Sequence, residues 1–168
     1  KIIFRGDRKD TSVGTAVLRD PSGRVDAVLF ERRVGFFDVE YHLMGADGAR
    51  KINIPTSASL EGYVDGQAIF SLQKQWDRFD AGALVALDLA AVRKDPDAAL
   101  QAAELVVQPS ASQTINGAVV TRHHVVVELL DNVKGAVDVY RRSKGTWTAK
   151  RLHLPINSAL AVRAAEQS

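Results

Sequence analysis

Three stretches of this sequence share one pattern, a hydrophobic strand end that is closed by a proline. They lie at residues 52–55, 106–109 and 152–155, a spacing of about 50 residues that is typical of repeat architectures. Proline cannot donate a hydrogen bond to a β-ladder, so it marks the place where an edge strand ends. Because four strands fit between successive prolines, we predict that each unit is a four-stranded antiparallel sheet.

Strict alternation of apolar and polar side chains, which indicates a strand with one buried face, is the main local pattern. It is clearest from Phe37 to Leu43, where every second residue is apolar. Short links with turn chemistry, such as Asp65-Gly66, separate the runs. The pattern predicts strands over residues 13–18, 25–31, 36–44, 49–54, 60–64, 67–73, 83–89, 104–108, 115–120, 123–130, 136–141 and 147–154.

One segment departs from the strand pattern. Asp95 can cap a helix, Pro96 suits the first helical position, and an alanine-rich run follows at 98–103. We therefore predict one short helical insertion in the second unit.

Stacked four-stranded sheets of this length are typical of β-propeller blades. We predict an all-β fold in which residues 1–168 form one partial β-propeller domain. Many short strands also suit a β-sandwich, which is the alternative. The predicted blades span about 11–55, 58–109 and 113–155, with one further strand at each end, over 1–5 and 160–163.

Composition limits the classes of partner and the chemistry. The net charge is only +2 and the basic pairs are scattered, so the footprint of nucleic-acid binding is missing. No apolar run approaches the ~18 residues of a membrane helix. The chain has no cysteine, which excludes disulfides, thiolate metal sites and a cysteine nucleophile. We predict no nucleic-acid or membrane partner.

The first residue is Lys1, with no methionine or signal peptide before it, so we expect an internal segment of a longer protein. The sequence does not choose between a cytoplasmic and a periplasmic location.

Two adjacent histidines, His123 and His124, raise the question of a metal or catalytic cluster. Successive side chains of a strand point to opposite faces, so the pair cannot hold one metal ion. The other two histidines, His42 and His153, complete no metal-binding spacing either. We predict strand or edge histidines with local hydrogen bonds, and neither a metal nor a cofactor.

No activated nucleophile is visible in the sequence. There is no Gly-x-Ser-x-Gly elbow and no phosphate-binding glycine loop. A small hydrolase that uses Ser57 or Ser59 with His42 or His153 is a third alternative, but no base spacing supports it. We predict no catalytic residue in this chain and no peptide hydrolysis by the chain alone.

An ordered set of motifs resembles the propeller of prolyl oligopeptidase (prolyl endopeptidase) family serine peptidases. The motifs are RG at Arg5, FERRVGFFDVEYHL from Phe30, KINIP from Lys51, QKQWDRFDAGALVALDL from Gln73 and VVTRHHVVVELLDNVKGAVDVY from Val119. The resemblance implies a propeller inserted in an α/β-hydrolase peptidase whose catalytic triad lies outside this chain. It also implies that the propeller gates a buried active site and admits short peptides.

Strand alternation assigns a docking side within this resemblance. Loops that join the second and third strands of each blade share one side with the blade-to-blade links, and we expect that side to face the hydrolase. The docking or gating candidates there are Arg33, Trp76, Asp77, Asp131 and Asn132.

The resemblance implies two partners, the C-terminal α/β-hydrolase domain of the same parent and short peptide substrates. We also predict self-association of the isolated chain through open blade edges. The alternative function is a standalone propeller or sandwich module that binds protein or carbohydrate partners.

Overall fold

The structure is a computed structural model that describes residues 3–132 and 134–153. The described residues form strands with short links and one helical insertion. The strands are β1 (Ser12–Arg19), β2 (Val25–Arg33), β3 (Val39–Gly45), β4 (Gly48–Lys51), β5 (Ala58–Val64), β6 (Gln67–Leu72), β7 (Leu84–Asp88), β8 (Ala103–Val107), β9 (Gln113–Val120), β10 (Val125–Asp131), β11 (Lys134–Ser143) and β12 (Thr146–Leu152).

These strands form three antiparallel sheets of four strands each, with the strands of every sheet in chain order. We call β1–β4 blade 1, β5–β8 blade 2 and β9–β12 blade 3. The first strands of successive blades lie side by side, β1 beside β5 and β5 beside β9. Three sheets that converge on their first strands confirm the all-β partial propeller, and they do not fit a two-sheet sandwich.

The structure describes only part of the two extra strands predicted at the chain ends. Residues 160–163 lie outside the described residues, as do residues 1 and 2. Residues 3–7 form no strand in the described structure. Phe4 instead stacks on Phe30 of blade 1, with ring centroids 4.6 Å apart. The extent of the domain over 1–168 stays a prediction.

Blade 2 has both faces buried, because it packs against blade 1 on one side and blade 3 on the other. Its β6 and β7 therefore read as nearly continuous apolar runs, AIF and LVAL, whereas β3 of blade 1 alternates. Tyr41 shows how blades 1 and 2 interlock. Its ring meets Phe70 edge-on at 5.0 Å, and its hydroxyl donates to Ala58 O and accepts from Leu60 N.

A charged pair joins blades 2 and 3. Arg142 Nε and Nη2 donate to the two carboxylate oxygens of Glu104 at 2.8 and 2.7 Å. This paired geometry holds the pKa of the Glu104 carboxyl below its usual value. Both side chains are partly exposed, so the pair contributes mainly to the register between the blades.

The strand predicted over 36–44 begins later, at Val39. Asp38 O accepts hydrogen bonds from Val34 N at 2.9 Å and from Gly35 N at 3.3 Å, which closes a loop before the strand. The alternation of Val39, Tyr41 and Leu43 toward the core is confirmed. Its extension to Phe37 is wrong, because the loop turns that side chain outward and leaves it 80% exposed.

The helical insertion lies between β7 and β8 and has two parts, α1 (Leu89–Lys94) and a 3₁₀ helix (Pro96–Ala99). The predicted cap of the second part is confirmed, since Asp95 accepts from Asp97 N and Pro96 occupies the first turn. α1 was not predicted, and Asp88 caps it through Ala90 N and Ala91 N. Neither described helix is long and apolar enough to cross a membrane.

Candidate functional site

Antiparallel alternation places the loops of the three blades on two opposite sides. We call one side the link face. It carries the two blade-to-blade links and the loops that join the second and third strands, and the opposite side is the far face. The link face consists of residues 34–38, 52–57, 73–83, 108–112 and Asn132. Each predicted docking candidate lies on the link face or, for Arg33 and Asp131, at the strand end beside it.

Blade 1 presents the most exposed part of this face. Arg33 ends β2 with an exposed side chain that has no ion-pair partner in the described part of the chain. Phe36 and Phe37 follow it, 83% and 80% exposed, with their rings edge to face at 4.6 Å. Thr56 Oγ1 donates to Asp38 Oδ1 at 2.8 Å, so the loop that carries the two rings is tied to the blade 1–blade 2 link.

The sequence did not predict Phe36 and Phe37 as exposed loop residues, because the strand alternation was extended through them. A usable signal was present, since Gly35 and two adjacent aromatic residues interrupt the alternation.

Blade 2 contributes Trp76 and Asp77. Trp76 exchanges backbone hydrogen bonds with Phe79 at 2.8 and 3.0 Å, and Asp77 between them adopts a left-handed φ of 52°. The Trp76 ring is partly buried against the core of blades 1 and 2. Arg78 reinforces this turn, because its guanidinium donates to Leu100 O and Ala103 O at 2.9 Å each. Trp76 thus shapes its own loop, and Asp77 is the exposed member of the pair.

Blade 3 contributes Asp131 and Asn132. The Asp131 carboxylate accepts from Gln113 Nε2 at 2.9 Å and from Ser112 Oγ at 3.3 Å. Asn132 N donates to Ser112 O at 3.1 Å, and Asn132 takes the positive φ, 46°, that the hairpin needs. Both residues therefore fasten the β10–β11 hairpin to the blade 2–blade 3 link.

The histidines are scattered over the described structure. His123 and His124 lie in the loop before β10, so their predicted place inside a strand is wrong, and the loop belongs to the far face. His123 Nδ1 lies 3.1 Å from Asp65 Oδ1 of blade 2. His42 lies 3.6 Å from Glu40, and burial lowers its pKa. The described residues contain no group of three potential metal ligands, and no described hydrogen bond joins a histidine to Ser57 or Ser59.

Exposed arginine and aromatic side chains on the link face suit contact with another protein surface. The folded sheets behind the loops define the class: this is a run of three consecutive β-propeller blades. No protein-family profile matches the sequence. The chain is 34% identical over 98% of its length to a Sinorhizobium fredii protein named uncharacterized peptidase y4nA, and it spans 24% of that protein.

A solved structure of a post-proline cleaving enzyme from Rickettsia typhi has the same fold. It matches 92% of this chain with a TM-score of 0.76 and 21% sequence identity, and this chain again spans 24% of that protein. The two comparisons confirm the resemblance that the motifs predicted. The chain is thus similar to a run of propeller blades of a post-proline cleaving enzyme, and it covers about a quarter of each of the two relatives.

Proposed function

We propose that this chain is a non-catalytic propeller segment of a serine peptidase. Its link face docks on an α/β-hydrolase domain of the same parent and limits the access of peptides to that domain. Two facts about relatives support the proposal: one is named a peptidase, and the other is a post-proline cleaving enzyme. Each is about four times as long as this chain, which leaves room for a catalytic domain.

The observation that carries the proposal is the pair Phe36 and Phe37. Two adjacent aromatic rings, each at least 80% exposed, cost free energy in water, and large exposed apolar groups mark interaction sites. Arg33 beside them adds a cation that has no ion-pair partner among the described residues, and arginine is enriched at interfaces. Because the loop is tied down through Asp38 and Thr56, docking would require little ordering of its backbone.

The test uses the full-length parent. Phe36→Ser with Phe37→Ser, and separately Arg33→Ala, change exposed side chains, so the stability of the propeller should change by no more than about 0.5 kcal/mol. Each ring that becomes buried on docking contributes about 1.5–3 kcal/mol. We therefore expect the double variant to weaken docking of the propeller on the hydrolase domain. Cleavage of long unfolded polypeptides should then increase relative to cleavage of a short proline-containing peptide.

Val25→Ser is the matched control, because Val25 is 46% exposed at the far-face end of β2. The control should leave the ratio of long to short substrate cleavage unchanged. The proposal is wrong if the double variant and the control give the same ratio as the wild type. Trp76→Ala and Asp131→Ala are less decisive, because both side chains also hold their own loops together.

A further inference from the structure

The first strands of blades 2 and 3 each carry a β-bulge. The register of β5 against β6 shifts between Leu60 and Gly62, so Glu61 is an extra residue. The register of β9 against β10 shifts in the same way and leaves Asn116 as the extra residue. Bulges are common next to functional sites, where they redirect one side chain of a strand. Two neighbouring strands here redirect one polar side chain each.

Both bulged residues line a single cleft of about 650 Å³, which β9 and the link-face ends of β6 and β7 also line. Glu61 is the only ionisable residue among the described residues that line it. Glu61 Oε1 accepts from Ser71 Oγ at 2.6 Å, and Oε2 has no hydrogen-bond partner within the described chain. Asn116 Nδ2 donates to Glu128 at 2.7 Å, which leaves the Asn116 Oδ1 acceptor available. Apolar side chains that also line the cleft are Leu72, Leu84 and Ile115.

The backbone adds a second set of polar groups to the cleft. β5 and β9 are edge strands, so each has one side unpaired in the described structure. The free N–H and C=O groups of an edge strand can bind an added extended segment. The two strands touch where Gly62 meets Val120, and the cleft continues to Gly82 and Pro109 on the link face. The result is a wedge that is closed toward the far face.

We propose that this wedge, the inner cleft, binds an extended peptide that carries a cationic group. The cation pairs with Glu61, while the peptide backbone bonds to the free edge of β9 and to Asn116 Oδ1. A single carboxylate with no cation among the lining residues favours a positive ligand group over a neutral one. The choice of a peptide rests on the proposed function, because the inner cleft opens on the face that peptides would pass.

The experiment is calorimetric titration of the purified chain with the capped peptide acetyl-Thr-Val-Lys-Val-Thr-amide. Glu61→Gln keeps the shape of the side chain and removes its charge. Asp47→Asn is the matched control, because it removes one negative charge from an exposed far-face turn. Because Glu61 is exposed, we expect Glu61→Gln to raise the Kd about two- to fivefold, the usual effect of losing an exposed ion pair, and Asp47→Asn to leave it unchanged.

Two further peptides identify the cation. Norleucine in place of the peptide lysine should weaken binding to the wild type by the same factor and leave binding to Glu61→Gln unchanged. An uncapped peptide without lysine tests whether an amino terminus serves as the cation, and Glu61-dependent binding of the lysine peptide or of this uncapped peptide supports the proposal.

The proposal is overturned if the wild type binds neither the lysine peptide nor the uncapped peptide. It is also overturned if Glu61→Gln binds the lysine peptide as tightly as Asp47→Asn does while unfolding at the wild-type midpoint. The titration contains no hydrolase domain. Failure of the docking proposal would therefore leave its outcome unchanged.

Discussion

Gly62 sets how closely the first strands of blades 2 and 3 approach. A methyl group on Gly62 would lie 2.7 Å from Val120 Cβ and 2.8 Å from Val120 Cγ2. Carbon atoms prefer separations of about 3.5–4.0 Å, so one of the two strands must move. The φ of Gly62, 157°, is also one that residues with a Cβ rarely adopt. We predict that Gly62→Ala destabilises the chain by about 1–3 kcal/mol, the usual cost of overpacking.

Gly117 of β9 provides the matched control. A Cβ at Gly117 would meet no atom within 4 Å, so Gly117→Ala should be neutral or stabilise the chain by about 0.4–1 kcal/mol through the unfolded state. The assay is urea unfolding followed by circular dichroism. With an m-value of about 2 kcal/mol/M, a loss of about 2 kcal/mol lowers the midpoint by about 1 M.

A double substitution separates the steric effect from a general effect on the strand. Val120→Gly removes the carbons that clash, so Gly62→Ala should cost less in the Val120→Gly background than in the wild type. Equal midpoints for Gly62→Ala and Gly117→Ala, or strict additivity in the double variant, would refute the argument.

Two further predictions concern residues of blades 1 and 3. His42 faces Glu40, Arg32, Lys51 and the Phe4 ring, and burial lowers its pKa. The unfolded chain therefore binds more protons than the folded chain as the pH drops below about 6.5, and the free energy of unfolding decreases. His42→Gln should reduce the difference between urea midpoints at pH 7.5 and 5.5, and an unchanged difference would contradict this. We also expect self-association, because Val13, Val17 and Leu130 are more than 40% exposed, and light scattering should show a mass that rises with concentration. A constant monomer mass would refute it.

The strands were predictable because their signals are local. A period of two, a turn residue every few positions and the prolines at 55 and 109 each act over a few residues. The helix α1 was missed for a related reason, since its cap Asp88 closes an apolar strand and the six residues that follow are too few to show a helical period. Local patterns therefore predict elements better than they predict where one element ends.

Contacts between blades could not be predicted in this way. His123 meets Asp65 across 58 residues of sequence, and Arg142 meets Glu104 across 38, and no short pattern encodes either distance. The bulges at Glu61 and Asn116 are equally hidden, because a one-residue slip leaves the composition of a strand unchanged. The docking candidates were located by topology alone, and their side-chain roles needed the structure.

The link face and the inner cleft are connected through the blade 2–blade 3 link. Asp131 fastens this link through Ser112 and Gln113, and Gln113 also lines the inner cleft. Docking on the link face and peptide binding in the inner cleft would therefore involve neighbouring residues of the same link. Their effects should consequently be reciprocal, since any free energy by which docking changes peptide affinity must equal that by which the peptide changes docking.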